Sequence, residues 1–196
     1  MGKKNPYKGP DPNTLRAKKH GYPARSVFKL EEIDRRCRLL RQGMHVLDLG
    51  AAPGSWALYA AEKIGKSGRL VAVDLKPLEV PLPPSCTFIL GDATQTEALA
   101  LHAPYDVVLS DMAPSTTGNR LGDQTRSYEL FMFALESAAK HLKPGGAFVG
   151  KIFMGEDLPR ARVAVKEHFE SERLIRPEGT RSVSYEIFVV AQGKKT

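Results

Sequence analysis

The chain has 196 residues, 42% of them hydrophobic, and a formal net charge of +7. That length predicts one domain with an appended tail, and no apolar run approaches the ~20 residues of a membrane span, which excludes a transmembrane helix. Two cysteines, Cys37 and Cys86, give no disulfide framework and suit a reducing, cytoplasmic setting.

The first residues, MGKKNPYKGP, carry no apolar segment behind their lysines and do not read as a secretory signal. Charge is concentrated here. Residues 1–41 hold 12 Lys/Arg and 4 Asp/Glu, whereas residues 42–196 hold 17 and 18. A basic arm on a near-neutral body is the electrostatic footprint of a polyanion-binding protein, although a solubility tail has the same composition. Pro6, Gly9, Pro10 and Pro12 predict disorder over the first dozen residues without a partner. The expected division is a flexible basic arm, 1–20, and a domain, 21–196.

The domain starts with a helix expected over 23–40. Val27, Leu30, Ile33, Cys37 and Leu40 recur at spacings of three and four, and Pro23 suits a first turn. A strand follows over 45–49, then the turn Gly50-Ala51-Ala52-Pro53-Gly54, then a helix over 55–64. Strand, glycine turn and helix build a cofactor crevice at the carboxyl end of the first strand of an open α/β sheet. The glycines let a ligand lie against bare backbone.

The same segment discriminates among cofactors. A dinucleotide site wants G-x-G-x-x-G with N–H groups aimed at a pyrophosphate. Here the spacing is G-x-x-x-G, and Pro53 has no N–H. Asp48, at the strand's end, would repel a diphosphate and suit a sulfonium or α-ammonium group. S-adenosylmethionine carries both. The strand 69–74 ends in Asp74, 20 residues after Gly54, where an acid can accept both ribose hydroxyls. The strand 86–90 leads into Gly91-Asp92, where a carboxylate could accept from an adenine amino group. Acids at such positions also cap helices.

Beyond a Pro-rich loop from Pro77 to Pro84, the alternation continues. A helix is expected over 95–102, a strand over 105–110, a helix over 124–142, a strand over 146–152, a helix over 157–169, and strands over 172–176 and 184–191. Lys143-Pro144-Gly145-Gly146 stops the long helix. Alternation of this kind implies a mostly parallel sheet with helices on both faces. The last two strands, joined by Pro177-Glu178-Gly179-Thr180, are close enough for a hairpin, so the last strand is expected to be antiparallel. The five histidines show no ligand spacing, and no metal is expected. The polar stretch from Ser115 to Asp123, after the 105–110 strand, reads as a mobile substrate loop.

With these segments in order, the chain resembles the FtsJ/RrmJ family of ribose 2′-O-methyltransferases. The likeness runs from about Lys18 to Gly193. It rests on Ser26-Val27-Phe28-Lys29-Leu30, Asp48 to Trp56, Ser110-Asp111-Met112-Ala113-Pro114, Gly150-Lys151-Ile152-Phe153 and Ser184-Tyr185-Glu186. It implies an α/β, Rossmann-like methyltransferase fold with a mostly parallel seven-stranded sheet. It also implies S-adenosyl-L-methionine as cofactor, and a catalytic tetrad of Lys29, Asp111, Lys151 and Glu186 with Lys151 as proton acceptor. The cofactor contacts carried over are Asp48, Gly50, Pro53, Gly54, Trp56, Asp74, Asp92 and Asp111, with Trp56 beside the methionine end.

Within the family, the bacterial branch that methylates large-subunit ribosomal RNA is the nearest likeness, through Asp-Met-Ala-Pro, Gly155-Glu156 and Arg176-Pro177. Ser55 stands where that branch often has a second glycine, and Ser115 where it often has asparagine. The implied target is a uridine in the peptidyl-transferase A-loop, on the large subunit, methylated by a monomer with no membrane partner. A tRNA anticodon loop is the alternative substrate. A non-catalytic RNA-binding module and a nicotinamide-dependent oxidoreductase are alternatives of other classes. Asp48 and Pro53 speak against the last.

The chemistry of the tetrad can be argued separately. A ribose 2′ oxygen is a poor nucleophile until its proton is removed or its developing charge is stabilised. A neutral lysine does the first and a charged one the second. A lysine titrates near ~10.4 unless desolvation or a neighbouring cation lowers it. Lys29 is a candidate for that cation, while Asp111 and Glu186 would act in the opposite direction, and the sequence leaves the balance open. The competing interpretation is a structural ion-pair cluster.

Overall fold

The apolar runs in the middle of the chain become strands at the expected places in a computed structural model, which describes residues 11–178, 180 and 184–196. Strands β1 (His45–Leu49), β2 (Arg69–Asp74), β3 (Cys86–Leu90) and β4 (Tyr105–Ser110) keep the expected bounds. They are joined by β5 (Leu142–Phe153), β6 (Phe169–Ile175) and β7 (Glu186–Lys194). Among the described residues these form one sheet in the order β3-β2-β1-β4-β5-β7-β6. The pairs from β3 to β5 are parallel. β7 runs antiparallel to both β5 and β6, inserted between them. Gly179, in the turn expected between these last strands, lies outside the described residues. Strand order reverses between β1 and β4, the place where open α/β sheets hold ligands.

Side chains alternate between the two faces of the sheet. Val46, Leu70, Ala72, Val107, Leu109, Val149, Phe188 and Val190 pack on one face, against Leu30 and Ile33 of helix α2 (Val27–Cys37) and Ala57 and Ala60 of helix α3 (Ser55–Ile64). Leu47, Leu49, Val71, Val108, Phe148 and Val189 pack on the other. There they meet Phe131 and Leu135 of α4 (Arg120–His141) and Ala161 and Val165 of α5 (Leu158–His168). Each fully buried aliphatic or Phe side chain of this kind contributes about 1.5–3 kcal/mol. The same alternation puts Asp48, Asp74, Asp111, Lys151 and Glu186 on the α2/α3 face at the carboxyl edge of β1, β2, β4 and β5.

Four segments depart from expectation. The second half of the basic arm is a helix, α1 (Pro12–Lys19). Asp11 caps it by accepting from Asn13 N at 2.9 Å, and Pro12 occupies its first turn, where a missing N–H costs nothing. Ala17 is fully buried, Asp11 pairs with Arg25, and the Arg16 guanidinium lies 4.3 Å from the Phe28 ring centroid. Residues 1–10 lie outside the described residues.

The helix expected over 23–40 is shorter. Arg38 takes a left-handed conformation, φ 53°, and Asp34 Oδ1 accepts from Leu39 N and Leu40 N at 3.0 and 2.9 Å, replacing helical bonds.

The segment 95–102 forms two 3-10 turns, Ala93–Gln95 and Glu97–Ala100, because Asp92 and then Thr96 each cap a new turn. In β5, Leu142 pairs with Tyr105 but the next partners are Ala147 and Val107, so Lys143 to Gly146 form an irregularity inside the strand. Gly145, at φ +79°, turns the chain there.

Candidate active site

The turn between β1 and α3 is shaped by close approaches. Gly50 has φ +78°, and a Cβ there would lie 2.6 Å from Met112 Cγ and 3.0 Å from its backbone nitrogen. Gly54 has φ +114°, and a Cβ would lie 2.7 Å from Val80 Cγ2. The Pro77–Pro84 loop therefore covers this turn, and Glu79 N donates to the Pro53 carbonyl at 2.9 Å. Asp74 fixes the turn from β2. Its Oδ2 accepts from Ala52 N and its Oδ1 from Lys76 N, both at 2.8 Å. The first turn of α3 leaves N–H groups without helical partners, a natural site for a carboxylate.

Asp48 has 0% exposure, and among the described residues neither carboxylate oxygen has a hydrogen-bond partner. Burial, then the charges of Asp111 and Asp74, hold its carboxyl well above the usual carboxylate range. An unpaired buried acid is costly. A cation placed beside it would restore the charged form. The residues present therefore fit S-adenosylmethionine: Asp48 for a cationic group, Asp74 for hydroxyls and the α3 N-terminus for the carboxylate.

Two predicted contacts are engaged otherwise. Asp92 Oδ1 accepts from Thr94 N and Oγ1, each at 2.8 Å, and these bonds lower its pKa. It is a helix cap at the rim, next to Gly91, whose N–H donates to the Asp74 carbonyl at 2.9 Å. Trp56 is 2% exposed, donates from Nε1 to the Ser26 carbonyl at 2.9 Å and packs 5.6 Å from the Phe188 ring. The indole is core, not a wall beside the methionine end. Its backbone N–H belongs to the first turn of α3, where N–H groups lack helical partners.

The four residues of the expected tetrad form two ion pairs. Lys151 Nζ on β5 donates to the Asp111 carbonyl at 2.6 Å and to Asp111 Oδ1 at 2.8 Å. Lys29 on α2 pairs with Glu186 Oε1 at the start of β7, its Nζ 5.9 Å from the Phe188 ring centroid. Both lysines are buried, Lys29 to 9% and Lys151 to 7% exposure. Glu186 stands opposite Phe153 in the β5–β7 register, two residues from Lys151 on the same face.

Ser55 has a role the sequence did not reveal. Its Oγ accepts from Ala24 N at 2.9 Å and donates to the Ala24 carbonyl at 3.0 Å. With the Trp56–Ser26 bond, this ties the cofactor turn to the start of the helix that carries Lys29. A helix-initiating hydroxyl was visible in the sequence, but its partner 31 positions away was not.

The stretch expected to be a mobile loop is partly helical. Asn119 caps α4, so Arg120 to Asp123 form its first turn. Asp123 is buried and accepts from Thr117 N at 3.0 Å and from Thr117 Oγ1 at 3.0 Å, bonds that hold its carboxyl below the usual range. Gln124 Nε2 donates to the Met154 carbonyl at 2.6 Å and Phe153 N to Ser127 Oγ at 3.0 Å. These bonds fix the start of α4 to the end of β5.

The family model of FtsJ-like methyltransferases matches residues 22–194. The chain is 62% identical over 194 residues to ribosomal RNA large subunit methyltransferase E of Sorangium cellulosum, covering 98% of this chain and 92% of that protein. It is 49% identical over 186 residues to the protein of the same name in Oleidesulfovibrio alaskensis, covering 92% and 90%. Among solved structures, a Plasmodium falciparum protein described as a ribosomal RNA methyltransferase superposes with a TM-score of 0.75 at 23% identity, covering 88% of this chain and 98% of that one. That last likeness concerns the fold.

Proposed function

Because the chain belongs to the FtsJ-like methyltransferase family, we propose that it methylates the ribose 2′ hydroxyl of a uridine in the peptidyl-transferase A-loop, on an assembled large ribosomal subunit. It is an RNA methyltransferase that uses S-adenosylmethionine and acts on large-subunit ribosomal RNA. The uridine and the assembled particle rest on the motif likeness to the large-subunit branch. The protein acts as a cytoplasmic monomer. Among the described residues no helix is long and apolar enough to cross a membrane.

One observation carries the catalytic reading: a buried lysine nitrogen, held by Asp111, shares a sheet face and edge with the orphaned Asp48. S-adenosylmethionine, when bound, supplies the electrophilic methyl. Asp111 orients the Lys151 amine with its carbonyl and carboxylate. Lys151 takes the proton of the 2′ hydroxyl or stabilises the charge that develops on the oxygen. Lys29 and Glu186 line the same mouth and hold the ribose. The α3 first turn, Gly50, Gly54, Asp48 and Asp74 bind the cofactor, with Asp92 at the adenine side. Residues 1–20 act as a basic RNA-binding arm appended to the methyltransferase domain.

Relatives named for large-subunit ribosomal RNA favour this substrate over tRNA. The test is incubation with labelled S-adenosylmethionine and a panel of tRNA, naked ribosomal RNA and unmodified ribosomal subunits, followed by mapping of the labelled nucleotide. Label on one uridine ribose of the large subunit is expected. Label confined to tRNA, or to a base, would overturn the assignment.

A further inference from the structure

Tyr185 and Arg120 have no part in the tetrad, yet they meet beside it. Tyr185 is the chain neighbour of Glu186, and its carbonyl accepts from Met154 N at 2.7 Å, just beyond β5. Its ring packs edge-on against Phe153, centroids 6.0 Å apart at 83°. Arg120, the first residue of α4, places its guanidinium 5.0 Å from the Tyr185 ring centroid. Met154 holds both sides of this contact. Its N–H fixes Tyr185, and its carbonyl accepts from Gln124, one turn along α4 from Arg120. Tyr185 is partly open to solvent and Arg120 is exposed. A rigid aromatic ring and a guanidinium plane thus lie together, one residue from Glu186.

We propose that Tyr185 and Arg120 form a stacking subsite for an unpaired RNA base next to the ribose being methylated. This rests on the reading of the chain as an RNA ribose methyltransferase. Lys151 is buried, so a 2′ hydroxyl reaches it only if its nucleotide leaves the stacked helix. The bases splayed out in this way lose their neighbours, and proteins replace those neighbours with aromatic rings and arginine planes. The guanidinium behind the ring adds cation–π attraction and stands ready for a phosphate. The competing explanation is that Arg120 and Tyr185 merely fasten α4 to β7.

The experiment compares wild type, Tyr185→Ala, Tyr185→Phe and Arg120→Ala in methylation of unmodified large ribosomal subunits. KM for the subunit, affinity for S-adenosylmethionine, thermal stability and the salt dependence of RNA binding are measured. Tyr185→Ala should raise the subunit KM about tenfold or more, with cofactor affinity and salt slope unchanged. Tyr185→Phe, which keeps a ring, should restore most of the loss. Arg120→Ala should flatten the slope of log affinity against log salt by about one. A wild-type KM in Tyr185→Ala overturns the subsite, as does a KM rise matched by an equal loss of cofactor affinity or stability. If wild type methylates no RNA, the functional reading itself has failed. If it does and Tyr185→Ala matches it, the subsite alone has failed.

Discussion

Lys151 Nζ is bound twice by one residue, through the Asp111 carbonyl at 2.6 Å and the Asp111 carboxylate at 2.8 Å. The two residues sit at the ends of adjacent parallel strands, whose register aligns Ser110 with Gly150. The amine is therefore held by the residue that directly follows β4, at the sheet's edge. Asp111 takes up two N–H groups of the amine. As a neutral amine Lys151 then has its lone pair left for the 2′ proton; as an ammonium it has one N–H left for the developing oxyanion.

Asp48 should make the ligand-free protein sensitive to pH. Its folded pKa is raised, by burial first and then by Asp111 and Asp74. The dependence is thus opposite to that of a salt-bridged acid. The contribution of Asp48 to stability is fully present below about pH 4, where the unfolded chain also holds the proton, and is lost as pH rises from there toward the folded pKa. Asp48→Asn removes the effect. In thermal unfolding between about pH 4 and about pH 8, the variant should gain on wild type as pH rises. It should also bind S-adenosylmethionine more weakly, for want of an ionised partner to a cation. A gap in Tm that does not change with pH would mean that Asp48 is not a buried neutral acid.

Asp74 carries two loads, and its loss should show in both. Asp74→Ala removes an acceptor for ribose hydroxyls and releases Ala52 N from its 2.8 Å bond. A charged hydrogen bond contributes about 1.5–3 kcal/mol, so calorimetry should find cofactor affinity down on the order of tenfold or more. Unchanged affinity would remove Asp74 from the site.

Much of this was legible in the sequence, for identifiable reasons. β1, α3, β2 and β4 appear with the expected bounds because their apolar residues have a period that burial enforces, and glycines mark the ends of the first three. That Lys29, Asp111, Lys151 and Glu186 lie near one another was expected from the family resemblance, since they stand in separate motifs; the structure joins them as the pairs Lys151–Asp111 and Lys29–Glu186. Helix α1 was hidden by its basic composition. It is held by tertiary contacts, the Asp11–Arg25 pair and Arg16 on Phe28, not by an apolar stripe. The turns at 93–100 were misread because Asp92 and Thr96 cap locally in place of propagating a helix. Trp56 was assigned to the cofactor, but its indole reaches Ser26 across 30 positions. Such a partner leaves no local signal. The Tyr185–Arg120 contact was invisible for the same reason.

The basic arm is best tested by a cut the fold tolerates. Ala17 is fully buried and Tyr22 N donates to its carbonyl at 3.0 Å, so deletion through residue 20 should lower Tm as well as RNA affinity. Deletion of residues 1–10 removes Lys3, Lys4 and Lys8 and spares α1. It should leave cofactor affinity and Tm unchanged and make the slope of log RNA affinity against log salt shallower by up to about 2–3. An unaltered slope would make that segment a solubility tail.

Lys151 is expected to act on the 2′ hydroxyl while other strand ends hold the cofactor. The decisive measurement is single-turnover methylation of saturating unmodified large subunits by wild type, Lys151→Ala and Lys151→Arg, with S-adenosylmethionine affinity measured in parallel. Lys151→Ala should keep cofactor binding near normal and lose roughly 10²–10⁴ in rate, the usual contribution of a positioned acid–base group. Lys151→Arg should rescue poorly, since arginine stays protonated and its planar head does not fit a point-charge site. Full activity in the arginine variant would exclude proton abstraction and leave charge stabilisation. A near-wild-type rate in the alanine variant would mean that Lys151 takes no part in the chemistry at the 2′ oxygen.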